Sequence, residues 1–108
     1  MTLSAVLSIA TSGMQAQTIR LSASANNVAN ALTPGYDRAR TSFSSEPTGG
    51  VSAEVAPSGA ETLPGSSNVD LADALVDAMG AELAFKANAS VFETGADLWD
   101  VLIRMKRD

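Results

Sequence analysis

Side chains able to carry out catalysis or hold a metal ion are few in this sequence of 108 residues. It contains no Cys and no His, which excludes thiolate nucleophiles, imidazole bases, disulfides and the commonest ligands of zinc and haem. Serines are plentiful, but no partner base accompanies them, and an unassisted hydroxyl is a weak nucleophile. The sequence therefore predicts a protein that is not an enzyme and that holds no cofactor.

Three aspartates, Asp70, Asp73 and Asp77, are the remaining candidate metal ligands. Their spacing is typical of one side of a helix, whereas a calcium loop places its ligands along an irregular backbone. Negative charge at the start of a helix also complements the helix dipole. We therefore interpret the three carboxylates as the beginning of a helix and expect no metal site.

The overall charge excludes two classes of binding partner. At pH 7 the formal net charge is −5, whereas nucleic acid and anionic lipid attract basic surfaces. The sequence also lacks a run of eighteen apolar residues, the length expected of a membrane-spanning helix. We expect neither nucleic-acid binding nor direct insertion into a membrane.

Proline and glycine divide the chain into three segments. All four prolines and five of the eight glycines lie between residues 33 and 67, and both residue types interrupt helices. This pattern predicts a mainly α-helical protein, with an N-terminal helix over residues 1–32, a turn-rich insert over 33–67 and a C-terminal helix over 68–108. The two helices are expected to form a coiled-coil hairpin.

Apolar residues recur at alternating spacings of three and four in both predicted helices, which is typical of a coiled-coil seam. The first seam is apolar at seven of its nine positions, which are Leu3, Leu7, Ala10, Met14, Gln17, Leu21, Ser24, Val28 and Ala31. The second is apolar at nine of its ten positions, which are Leu71, Leu75, Ala78, Glu82, Phe85, Ala89, Phe92, Ala96, Trp99 and Ile103. A neighbouring stripe that includes Val76, Met79 and Leu83 widens the second apolar face beyond what one helix covers.

The insert contains signals for a turn, a hairpin and a loop. Residues 33–36 (TPGY) suit a type II turn, because Pro fixes the second residue and Gly accepts the positive φ of the third. Residues 36–43 and 51–55 are predicted to form a short β-hairpin. Residues 56–67, rich in Pro, Gly and Ser, are predicted to form a flexible loop.

Helices of these lengths are too long for a compact monomer. A globule of this size has a radius of gyration near 13 Å, about a quarter of the length of either predicted helix. Two helices also leave their outer apolar stripes in water, because closed bundles normally need three or four. We therefore expect other subunits to supply the missing helices. If those contacts are head-to-tail and do not close, the product is a helical tube.

Two sequence signatures resemble those of the bacterial flagellar basal-body rod proteins, which are related to the rod and hook axial proteins. The N-terminal signature is carried by residues 12–17 (SGMQAQ), 20–21 and 25–36 (ANNVANALTPGY). The C-terminal signature is carried by residues 68–72 (NVDLA), 84–85, 87–88, Val91 and Thr94. The short insert is similar to that of a small proximal-rod type of subunit.

The resemblance implies a structural subunit of the rod, which polymerises through its helices into the axial tube that transmits torque. It implies contacts with other axial proteins and with copies of itself. It also implies export by the flagellar type III apparatus without a cleaved signal peptide, to the rod that spans the periplasm. The alternative from another class is a soluble helical adaptor or export chaperone that binds a client helix.

Seams and resemblance together predict an assembly interface on both helices. The Asn26, Asn27 and Asn30 cluster is interpreted as hydrogen-bonding between subunits, with C-capping of one helix as the alternative. Arg20, Arg38 and Arg40 are interpreted as a basic patch that pairs with acidic residues of a neighbour, with a solvated surface as the alternative. The predicted interface residues are Leu7, Met14, Leu21, Asn26, Asn27, Val28, Asn30, Leu71, Leu75, Phe85, Asn88, Phe92, Trp99 and Ile103.

Overall fold

The computed structural model describes residues 2–107 and contains two long helices joined by a two-stranded sheet. In chain order, the elements are α1 (Leu3–Ala29), β1 (Ala39–Ser45), β2 (Val51–Pro57) and α2 (Leu71–Arg107). The predicted fold class is therefore confirmed, including the hairpin in the insert. Met1 and Asp108 lie outside the described residues.

Polar side chains mark both ends of α1. The Thr2 hydroxyl accepts a hydrogen bond from the backbone N–H of Ala5 at 3.1 Å, which caps the start of the helix. Asn30 forms the C-cap, and its side-chain amide donates to the carbonyl of Asn26 at 2.9 Å. This side chain satisfies a carbonyl of the last turn, so the helix ends before Leu32, the predicted boundary.

The turn predicted after α1 is present. The Tyr36 N–H donates to the Thr33 carbonyl at 3.2 Å, and Gly35, the third residue of the turn, has φ of 76°. A side chain at position 35 would be strained at this φ, so the turn needs glycine there. The chain then reverses towards β1.

Asp70 caps the start of α2. Its carboxylate accepts backbone hydrogen bonds from Ala72 at 2.9 Å and Asp73 at 3.3 Å, which satisfies two of the free N–H groups that begin every helix. The helix therefore begins at Leu71, three residues after the predicted start. Its last turn carries the basic side chains of Arg104, Lys106 and Arg107, which complement the dipole at that end.

The two strands form an antiparallel hairpin that packs against α1. The pairing runs from Ala39 opposite Pro57 to Ser45 opposite Val51. At the tip, the Val51 N–H donates to the Ser12 hydroxyl of α1 at 3.1 Å. This contact supplies the support that an isolated two-stranded ribbon lacks in water.

The loop before α2 is held by hydrogen bonds to the turn after α1. The Gly35 N–H donates to the Ser66 carbonyl at 2.9 Å, and the Asn68 N–H donates to the Tyr36 carbonyl at 3.3 Å. The segment contains no helix or strand over residues 58–70, in accord with a loop. Its backbone is nevertheless anchored at several points, in contrast to the free loop predicted over residues 56–67.

The molecule is an elongated rod. It measures 70 × 25 × 13 Å, and its radius of gyration is 18.5 Å, compared with about 13 Å for a compact domain of this length. The two helices run antiparallel, since Arg20 of α1 lies beside Asp77 and Leu7 lies beside Gly95. The helices thus set the shape, and the sheet covers part of α1.

Candidate assembly interface

Small residues form the buried interior of the chain, where α1 packs against α2 and the sheet. The buried apolar residues of the described chain are all alanines, and two buried glycines accompany them. This set is Ala10, Gly13, Ala16, Ala23, Ala74, Ala81 and Gly95. Because small side chains let helix backbones approach closely, the seam buries little apolar surface for its length.

Two glycines of the seam each receive a larger side chain from the opposite helix. A Cβ on Gly13 would lie 2.6 Å from Cγ of Asn88, and a Cβ on Gly95 would lie 2.7 Å from Cδ2 of Leu7. Both separations are far below van der Waals contact, so an added methyl group would displace the opposing side chain. These contacts fix how the two helices are aligned lengthwise.

The observed seam differs from the predicted one. On α2 a line of buried or half-buried residues spaced by seven, Ala74, Ala81, Asn88 and Gly95, follows the contact, and the predicted seam residues Ala78 and Ala89 are half-buried next to it. The predicted seam residue Leu75 is 52% exposed. Because the helices approach closely at small residues, the large side chains of the predicted seam remain at the surface. A seven-residue repeat of small residues is the signal that identifies this face in the sequence.

An ion pair crosses the seam near its centre. Arg20 donates to Oδ1 of Asp77 through Nε at 2.8 Å and through a terminal nitrogen at 2.5 Å. The Ser24 hydroxyl donates to Oδ2 at 2.7 Å. The Arg20 hydrogen bond is the main cause that lowers the pKa of Asp77; burial opposes it and Ser24 reinforces it.

Arg20 therefore forms its ion pair within one chain. Its side chain is 24% exposed and that of Asp77 is 43% exposed, so solvent partly screens the pair. The sequence interpretation assigned Arg20 to pairing with a neighbouring subunit and Asp77 to the helix start. Instead, the pair helps to set the lengthwise alignment of the two helices in one molecule.

Asn27 ties α1 to the insert. Its Oδ1 accepts hydrogen bonds from the Ala39 N–H at 2.7 Å and the Tyr36 hydroxyl at 3.1 Å. Its Nδ2 donates to the Ala39 carbonyl at 2.9 Å. The Asn27 side chain is buried. Its amide oxygen and amide nitrogen both hydrogen-bond to the backbone of Ala39, the first residue of β1. In this structure Asn27 serves an intrachain contact.

A second polar network joins the turn after α1 to the loop before α2. Asp37 accepts hydrogen bonds from the Ser58 hydroxyl, the Gly59 N–H and the Asn68 side-chain amide. The bond from Ser58 is the main cause that lowers the pKa of Asp37, followed by the bond from Asn68. These two segments include the ends of both sequence signatures, which therefore meet at one end of the rod.

Large apolar side chains are exposed along most of α2. The first half of the helix carries an uncovered ridge, since Val76, Met79 and Leu83 are 67%, 63% and 67% exposed. Leu75, four residues before Met79 and 52% exposed, lies on the same side of the helix and belongs to this ridge. Soluble monomers rarely expose contiguous apolar surface on this scale, and such surfaces commonly mark protein contacts.

The end of α2 extends beyond α1. Gly95 lies against Leu7, near the first turn of α1, and every residue from 96 to 107 is exposed. This overhang, residues 96–107, is about 18 Å long at 1.5 Å per residue, and about the last 12 Å of it extends past Leu3, where α1 begins. It carries Leu98, Trp99, Val101, Leu102, Ile103 and Met105, all at least 45% exposed.

The predicted interface residues fall into two groups. The structure leaves one group at the surface, available to a partner: Leu21, Asn26, Val28, Leu71, Leu75, Phe85, Phe92, Trp99 and Ile103. The other group makes contacts within the chain. Leu7 and Asn88 meet glycines of the seam, Asn27 holds the insert and Asn30 caps α1. Met14 is half-buried beside Phe85, in an apolar groove.

Within residues 2–107, no group of three acidic side chains is arranged to hold a metal ion. A cleft of about 360 Å³ lies between the sheet and the start of α2, with Arg38 and Arg40 on one wall and Asp70 and Asp73 on the other. Neither described helix has a stretch long and apolar enough to cross a bilayer.

The N-terminal segment matches a known family. Residues 7–36 match the sequence model described as Flagella basal body rod protein. These residues include most of α1, the turn after it, and Asn27 with its hydrogen-bond partner Tyr36. The match confirms the resemblance to the flagellar rod and axial proteins. For residues 68–108 the resemblance stays a prediction.

The chain is also similar to curated flagellar hook proteins. It is 53% identical over 41 residues to the Flagellar hook protein FlgE of Brucella suis biovar 1, covering 38% of this chain and 10% of that protein. It is 43% identical over 42 residues to FlgE of Rhizobium meliloti, covering 39% of this chain and 10% of that protein. The similarity therefore spans about a tenth of the hook proteins.

Proposed function

We propose that this chain is a non-enzymatic structural subunit of the bacterial flagellar rod, and that it polymerises through α1 and α2 into an axial tube that transmits torque. The match of residues 7–36 to the basal-body rod family supports the flagellar assignment. The short insert of residues 33–67 favours a small proximal-rod type of subunit. Its partners would be other axial proteins and copies of itself.

The main support for the proposal is the large apolar surface that remains exposed along this 70 Å rod. Its intrachain core is made of alanines, while the leucines, phenylalanines and tryptophan of α2 are exposed. Hydrophobic burial is the main driving force of association. Neighbouring subunits that pack against these side chains would bury apolar surface that the isolated chain leaves in water. Many weak contacts along parallel helices would share a torsional load.

The proposed location is the periplasm-spanning rod, which the chain would reach through the flagellar type III export apparatus. An export substrate of this kind must unfold easily. The alanine-rich seam supports this requirement, because little apolar surface stabilises the isolated hairpin.

A deletion strain tests the proposal. Removing the coding region is expected to stop assembly beyond the inner-membrane ring, as seen by electron microscopy of purified basal bodies, and a plasmid copy is expected to restore it. A deletion strain that still builds hook and filament would refute the rod assignment. A soluble adaptor or chaperone would be absent from basal bodies purified from the complemented strain.

A further inference from the structure

A regularly spaced set of exposed residues begins at Thr94, just before the overhang of α2, and continues along the overhang. Thr94, Leu98, Val101 and Met105 are spaced by four, three and four residues and so lie on one side of the helix. Leu98, Val101 and Met105 are 53%, 51% and 69% exposed. This set of four residues, which we call the overhang seam, has the pattern that pairs two helices in a coiled coil.

Charges beside the overhang seam specify how a second helix would run. Asp97 and Arg104 each precede a seam residue, Leu98 and Met105, and therefore flank the seam on the same side. In an antiparallel pair, the residues at this flanking position face each other across the two helices. In a parallel pair they face the position after Val101, which Leu102 occupies.

Antiparallel pairing would therefore place Asp97 of one copy beside Arg104 of the other, and the two-fold symmetry would form this pair twice. Within residues 2–107, Asp97 makes no ion pair, and Arg104 is paired only with Asp100 of the same exposed helix surface. Exposed ion pairs of this kind contribute little affinity but set orientation. The charge order thus selects an antiparallel second copy.

We propose that the free protein forms an antiparallel two-fold dimer through the overhang seam. In this dimer Leu98 packs against Val101 of the second copy, and Thr94 packs against Met105. The inference goes beyond the proposed function and does not require it. In a tube whose subunits all point the same way this pairing cannot persist, so the dimer is a state of the free chain that must separate before incorporation.

Disulfide cross-linking tests the orientation, because the chain has no native cysteine. Purified Thr94→Cys and Met105→Cys proteins are mixed and oxidised, and the products are identified by mass spectrometry. Antiparallel pairing predicts a disulfide between the two variants, since residues 94 of the two copies would lie about 16 Å apart along the axis. Glu93→Cys, next to Thr94 but off the seam, is the matched control and is expected to cross-link poorly.

Two results would overturn the proposal. Homodimers of Met105→Cys as the main product would indicate a parallel pair. The second such result would be that Glu93→Cys cross-links as efficiently as the mixed variants, or that neither sample cross-links. Either outcome would show that the overhang seam does not contact a second copy in this way.

A charge-reversal series tests the same interface without oxidation. Asp97→Arg places two arginines together and is expected to weaken dimerisation about tenfold in sedimentation equilibrium. The double variant Asp97→Arg, Arg104→Asp restores opposite charges and is expected to recover the dimer. Glu93→Arg makes the same change in net charge away from the seam and should not alter the dimer. A monomeric wild-type chain, or a double variant as weak as the single, would contradict the proposal.

Discussion

Asn27 of α1 and Asp77 of α2 each join α1 to another part of the chain. Asn27 binds the backbone at Ala39, where the insert begins its first strand. Asp77 binds Arg20 across the helix seam. Each is a polar group at a junction between elements, and each acts through hydrogen bonds with defined geometry.

Asn27→Ala is expected to release the sheet from α1. The substitution removes three hydrogen bonds and leaves the Ala39 backbone without its partners, which costs about 2–3 kcal/mol. Hydrogen exchange should accelerate over residues 39–57 while α2 keeps its protection. Asn26→Ala, at an exposed neighbouring amide, is the control and should leave exchange in the sheet unchanged. Equal acceleration of hydrogen exchange in both variants would contradict the role of Asn27 in holding the sheet against α1.

Asp77→Asn is expected to lower the free energy of unfolding by about 1 kcal/mol at pH 7, because Arg20 loses its charged partner in a partly exposed site. The pKa of Asp77 is lowered in the folded chain. The stabilisation is therefore present above the ordinary value of about 3.8 and disappears as the pH falls through the lowered folded-state pKa.

Urea unfolding of wild type and Asp77→Asn between pH 7 and pH 2 measures this linkage. The two curves should converge at the acid end. Glu93→Gln, an exposed carboxylate on the same helix, should match wild type throughout. A difference that persists unchanged at pH 2 would show that the charge of Asp77 is not responsible.

At the scale of the elements, the seam between α1 and α2 depends on glycine as much as on alanine. Gly13 accommodates Asn88, and an added methyl group there would meet the side-chain amide at 2.6 Å. Glycine in a helix otherwise costs about 1 kcal/mol relative to alanine. Glycine at position 13 therefore lowers the intrinsic stability of α1 but allows the two helices to approach closely.

A double-mutant cycle separates these two effects. Gly13→Ala alone is expected to destabilise the hairpin, because the clash with Asn88 outweighs the gain in helix propensity. In an Asn88→Ala background the same change should stabilise by about 1 kcal/mol, since the obstacle is gone. Thermal unfolding by circular dichroism measures all four proteins. The same sign of effect in both backgrounds would contradict the close contact.

The elements could be predicted from the sequence, and their faces only in part. Proline and glycine between residues 33 and 67 marked the two helices and the insert, and Pro34 with Gly35 marked the turn after α1. The face of α2 that meets α1 could be predicted only in part, because apolar periodicity identifies where large residues lie and not how closely two backbones approach. The Arg20 to Asp77 pair joins residues 57 apart in the chain, and no local pattern identifies such a partner.

At the scale of the whole molecule, the large apolar residues lie outside and the small ones inside. This arrangement reverses that of a self-sufficient domain, in which large side chains form the core. The predicted interface residues Leu75, Phe85 and Trp99 all remain exposed, so the surface expected from the sequence is available to partners. Burial of these side chains requires neighbouring subunits, because the chain itself does not cover them.

Leu21→Glu and Phe92→Asp are expected to block incorporation into the flagellum while leaving the free chain folded. Both side chains are about 40% exposed in the isolated molecule, at 43% and 39%, but a charge there would be buried against a neighbour. Cells carrying either variant should be non-motile, and the protein should be absent from purified basal bodies. Ser22→Glu is the exposed control on α1, and normal motility of the two test variants would contradict the interface.

Protection of a ridge cysteine tests the central claim most directly. Leu75→Cys, at a position 52% exposed in the free chain, is introduced into a functional flagellum and treated with a maleimide in intact purified basal bodies. We expect rapid labelling of the free protein, strong protection in basal bodies and recovery of labelling after dissociation in urea. Equal labelling of the free and assembled protein would contradict the claim that neighbouring subunits cover this ridge.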